Sequence, residues 1–77
     1  MEIALLKKFG KHLKELRTNK GLSQSELAFN GDFDRNYIGM LERGERNPSL
    51  KNLKRLSDAL GIPLCRLTNF ENNDKCK

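Results

Sequence analysis

Seventy-seven residues set the size of one small domain and exclude a second. Fifteen Lys and Arg against ten Asp and Glu give a net charge of +5 and a pI near 9.5, which favours an anionic partner through long-range attraction without naming one. A single His among scattered carboxylates forms no nucleophile, base and orienting group; no run approaches the roughly 18 apolar residues that span a bilayer, and Met1 to Gly10 lack the order of a secretory signal, so a non-enzymatic, cytoplasmic protein is expected.

Leu6, Phe9, Leu13 and Leu16 recur at helical spacing and predict a first helix from about Ile3 to Asn19, closed by Gly21 as a C-terminal cap. His12 has no Cys or His companion and is expected at the surface of this Lys-rich helix. Ser23 followed by Glu26 forms a capping box, in which each side chain satisfies an amide of the first turn, while Leu22 and Leu27 are placed as a hydrophobic staple. The second helix should therefore run from Gln24 to Phe29 or Asn30. Asn30, Gly31 and Asp32 tolerate positive φ or bond their own backbone, so the chain can turn sharply there. Asp34 can cap a third helix, on which Tyr37, Ile38 and Leu41 lie across from Arg35, Gly39 and Arg43, and Gly44 ends it. Two short helices around a tight break read as a helix-turn-helix, the second of them polar and basic.

Glu45 to Pro48 form a charged loop in which Pro48 discourages helix at Asn47. Ser49 caps a fourth helix with Leu50, Leu53, Leu56 and Leu60 as its buried stripe, terminated by Gly61 and Pro63. A short fifth helix at about Pro63 to Asn69 carries Leu64 and Leu67, with Ile62 and Phe70 beside it, which is more apolar surface than so short a helix needs. Residues 71–77 show no apolar periodicity and are expected as a mobile tail behind a domain of residues 1–70. Cys65 and Cys76 have no second pair or neighbouring His at metal-ligand spacing, so neither a metal site nor a disulfide scaffold is supported, no cofactor is expected, and reduced thiols are. With no strand alternation anywhere, the reading is all-α, five helices.

LRTNKGLSQSELA, then a polar helix, ERGERNPSL and a leucine-striped helix resemble the phage-repressor-like (XRE-type) helix-turn-helix family over about residues 3–70. Within it, DRNYIGMLERGERNPS is similar to the small controller proteins of restriction-modification systems. The resemblance implies a compact five-helix lambda-repressor-like domain, a dimer, and regulation of the transcription of neighbouring genes. It also implies an internal ion pair between Arg17 and Glu42 and a phosphate contact by Gln24. One departure lies in the turn, where the family usually has Gly at the position held here by Asp32.

Arg35 and Asn36 stand at the first exposed turn of the third helix, the end that reaches base edges when such a helix enters a major groove. Arg can fork onto guanine O6 and N7, and Asn onto adenine N6 and N7. Gly39 suits either close approach to DNA or close helix packing; Met40 either touches a thymine methyl or packs. Gln24, Arg43, Arg46 and Asn47 are expected on the DNA backbone, with Tyr37 either there or in the core. Leu64, Leu67 and Phe70 are candidates for a homodimer interface. The main expectation is a homodimeric regulator on a partly palindromic double-stranded DNA operator. The alternative is an antitoxin-like or adaptor protein-interaction module on the same fold. Activation would in addition need a surface for RNA polymerase, which Glu42 and Glu45 do not establish.

Overall fold

The computed structural model describes residues 2–71, Glu2 through its backbone only. Five helices follow in order: α1 Glu2–Asn19, α2 Gln24–Gly31, α3 Arg35–Glu42, α4 Leu50–Leu60 and α5 Leu64–Thr68, with no strand among the described residues. The starts of α2, α3 and α4 are each fixed by a local polar group. Ser23 and Glu26 form the reciprocal capping box on α2, Asp34 accepts from the Asn36 amide on α3, and Ser49 accepts from the Asn52 amide on α4.

Between α2 and α3 the chain reverses at Asp32, which takes the left-handed conformation at φ +58°. Asp is among the few L-residues that tolerate this region. Gly31 itself is helical and is there for room: a Cβ on it would come within 2.6 Å of the Phe33 ring. The turn thus splits between two residues what a single left-handed Gly supplies elsewhere. α2 also extends to Gly31, slightly past its expected end.

The core gathers Phe9, Leu13 and Leu16 of α1, Leu27 and Ala28 of α2, Ile38 and Leu41 of α3, Leu56 and Leu60 of α4, and Leu67 of α5, closed by Ile62. α1 packs on α3, α2 on both α3 and α4, and α5 bridges α4 back to α1. Where α1 crosses the end of α3, a Cβ on Gly10 would lie 2.5 Å from the Leu41 and Glu42 carbonyls, so only Gly permits that approach. The result presents α3 outward, anchored from behind by α1 and α2.

Four expectations are corrected. Leu50, placed in the α4 stripe, is 73% exposed: as the first helical residue it projects past the end of the core. His12 is half-buried, with Nε2 2.9 Å from the Arg66 carbonyl and its ring beside Phe70, so it joins α1 to α5 instead of lying on a solvated face. Leu67, a dimer candidate, is fully buried within one chain and offers no surface to a partner. Cys65 is disulfide-bonded. Sequence spacing could exclude a scaffold of bridges but carried no information on whether one thiol finds another. Cys76 and all of the expected tail except Glu71, which pairs with Lys8, lie outside the described residues.

Candidate nucleic-acid interface

Asp34 fixes the start of α3 by capping it, and this leaves Arg35 and Asn36 as the first two helical residues, both exposed. One turn on, Gly39 is buried beneath two side chains. A Cβ there would lie 3.1 Å from Arg43 Nη1 and 3.8 Å from Gln24 Oε1. Met40 is half-buried beside it. Arg35, Asn36, Met40, Arg43 and Gln24 therefore surround one stretch of α3, with Gly39 as its floor.

Behind this surface sits a charged cluster. Arg17 Nε and Nη2 donate to the two Glu42 carboxylate oxygens at 2.6 and 3.1 Å, and Nη1 donates to the Leu22 carbonyl at 2.7 Å. Only 10% of the Arg17 side chain and 4% of the Glu42 side chain are exposed, so the pair is held by a forked, desolvated geometry. It ties α1, the start of α2 and the end of α3 into one unit. Gln24 Nε2 adds a 3.0 Å bond to the same carboxylate, which leaves its amide oxygen turned toward Gly39. With all this bonding Glu42 is a structural acid and presents no acidic patch to a polymerase.

At the far end of α3 the basic loop begins. Arg43 forks onto Glu45 through two 3.1 Å bonds, in the open. The bond from Arg43 holds the Glu45 carboxyl below its usual range, and the bond to Glu45 raises the Arg43 guanidinium. Arg46 reaches back over the Tyr37 ring, with its guanidinium carbon 5.6 Å from the ring centre, and Asn47 is exposed beyond it. Tyr37 in turn stacks on Phe33 at 5.5 Å. Gln24, Tyr37, Arg43 and Arg46 thus flank the outward face of α3.

Two residues of this framework escaped the sequence reading, both on α4. Arg55 Nη2 donates to the Gly31 and Asp32 carbonyls at 2.8 and 2.7 Å, and its guanidinium lies 4.2 Å from the Phe33 ring centre. Asn52 donates from Nδ2 to the Tyr37 hydroxyl at 3.0 Å. The partners are 15 to 24 residues away in sequence, so no local pattern marks them. Among the described residues no cluster of His, Cys, Asp and Glu could hold a metal, and no helix is long and apolar enough to cross a membrane.

The fold recurs in known proteins. The helix-turn-helix family matches residues 13–67. Control protein C.BamHI of Bacillus amyloliquefaciens is 40% identical over 70 residues, covering 90% of this chain and 86% of that protein. Restriction-modification controller protein C.AhdI of Aeromonas hydrophila is 55% identical and superposes with a TM-score of 0.81 over 83% of this chain and 97% of its own. Controller protein C.Esp1396I, solved as a tetramer in complex with its natural 35 base-pair operator, is 36% identical with a TM-score of 0.73 over 77% of this chain and 79% of its own. The chain belongs to the helix-turn-helix family of phage-repressor-like transcriptional regulators, where it is similar to the restriction-modification controller proteins.

Proposed function

We propose that this protein is the controller of a restriction-modification system, a cytoplasmic, non-enzymatic homodimer that places α3 of each subunit in successive major grooves of an operator. The observation that carries the reading is the outward face of α3, where Arg35 and Asn36 stand free of the core at the capped end of the helix, inside a frame of Gln24, Tyr37, Arg43 and Arg46. Arg35 and Asn36 read bases; Gly39 lets the helix sit deep, and Met40 lies at the edge of the groove. Gln24, Tyr37, Arg43, Arg46 and Asn47 hold phosphates.

The size of the chain supports a dimer. The longest dimension of the chain is 29 Å, whereas two successive major grooves lie roughly 34 to 36 Å apart. One subunit therefore reads one half-site. With Leu67 in the core, the contact between subunits falls to Leu64 and Phe70, both partly buried. Phe70 also lines an apolar cleft with Leu5, Leu6, Phe9 and Leu53.

Selection of sites from a random duplex pool, followed by gel-shift titration, tests the function. The expected result is one partly palindromic sequence retarded at moderate salt; equal retardation of all sequences would favour the protein-interaction module instead. Sedimentation separates the second element: Leu64→Glu should shift wild-type dimer to monomer, and a wild type that stays monomeric at high micromolar concentration would sink the dimer.

A further inference from the structure

Tyr37, Asn52 and Arg55 form a chain of hydrogen bonds whose direction is fixed by chemistry. A guanidinium has donors only, so the Asn52 atom 3.1 Å from Arg55 Nη1 must be the carbonyl oxygen Oδ1. That orientation leaves the amide nitrogen Nδ2 facing Tyr37, where it can only donate. The Tyr37 hydroxyl therefore receives a hydrogen bond, and its own proton is directed elsewhere; among the described residues it has no acceptor. Arg55 is itself immobilised by the Gly31 and Asp32 carbonyls and the Phe33 ring, so the chain starts at the turn between α2 and α3 and ends at a hydroxyl on α3.

We propose that Asn52 and Arg55 are positioning residues that lock the Tyr37 hydroxyl as a donor for a phosphate oxygen of the operator. The inference rests on the reading of α3 as the DNA-facing helix. A tyrosine held this way meets DNA with its proton already presented. Without Asn52, the hydroxyl is free to rotate and must be oriented at the moment of binding. The same chain makes the donor sensitive to the turn geometry, because Arg55 takes its position from the turn carbonyls.

A double-mutant cycle of Asn52→Ala and Tyr37→Phe, read as Kd for the selected operator duplex, tests this, with thermal melts showing that each variant is folded. Asn52→Ala leaves the Ser49 cap intact, since that bond uses the Asn52 backbone amide. Each single change is expected to weaken binding about 3- to 10-fold, the net worth of one hydrogen bond, and the double variant should bind no worse than Tyr37→Phe alone. Losses that multiply would show that Asn52 acts independently of the hydroxyl and overturn the proposal, as would an Asn52→Ala variant with wild-type affinity. If the wild type selects no duplex, the DNA reading itself falls; if it selects one and the coupling is absent, only the positioning role falls.

Discussion

Arg17 and Glu42 show how charges close to the expected DNA contacts can serve the fold instead. Glu42 adjoins Arg43 and bonds Gln24, both expected DNA contacts, yet burial commits it and Arg17 to each other. Glu42→Ala would leave a buried guanidinium without its counter-charge and should cost about 3 to 5 kcal/mol in urea unfolding; a loss within the error of the measurement would mean that water replaces the carboxylate. A drop in DNA binding by that variant reports either loss of the fold or release of Gln24 from the same carboxylate, and the melting curve separates the two. Arg35, in contrast, is exposed and outside the core, so Arg35→Ala should leave the urea midpoint unchanged. On the proposed reading it costs about 1 to 3 kcal/mol in operator affinity and relaxes preference at one base position. Repeating the site selection with the variant checks this, and an unchanged consensus with uniformly weaker binding would move Arg35 to the backbone class.

At the scale of elements, the stability of the motif depends on close approaches more than on helix propensity. α2 and α3 have eight residues each, too short to persist alone, and exist because α1 and α4 pack against them. Gly10 is the point of closest passage between α1 and α3, and what a Cβ would meet there is backbone, which cannot swing aside. Gly10→Ala should therefore destabilise by about 1 to 3 kcal/mol, an overpacking cost large enough to outweigh the better helix propensity of Ala, as measured by denaturant unfolding. Stabilisation would mean that α1 slides at no cost. The sequence made the helix starts readable because Ser23, Asp34 and Ser49 act on amides two or three residues away. It made the turn readable as a turn, though the division of labour between Gly31 and Asp32 depends on Phe33 packing across it. It could not reveal Arg55, Asn52 or the burial of Leu67, since each depends on a distant element arriving at the right place. For the candidate site, the exposure of Arg35 and Asn36 was readable from their position behind a cap, while the bond from Gln24 to Glu42 required the fold.

For the molecule as a whole, the net charge of +5 is small, and its effect on binding depends on where the cations sit. On the proposed reading, Arg43 and Arg46 are the cationic phosphate contacts of each subunit, so a dimer neutralises four phosphates and the plot of log K against log salt should have a slope of roughly −3.6. Arg43 must first leave Glu45, an exchange between two exposed partners that water and salt already screen. Arg46 starts from the Tyr37 ring face and has no acid to release among the described residues. Arg46→Ala should therefore reduce the slope toward about −1.8 while preserving the ratio of affinities for operator and scrambled duplex, because a phosphate contact carries no sequence information. Titrations at several salt concentrations with both duplexes separate the two quantities. A variant that kept the steep slope and lost the ratio would place Arg46 against bases, and the line between clamping and reading would then run through the loop after α3, not along the helix.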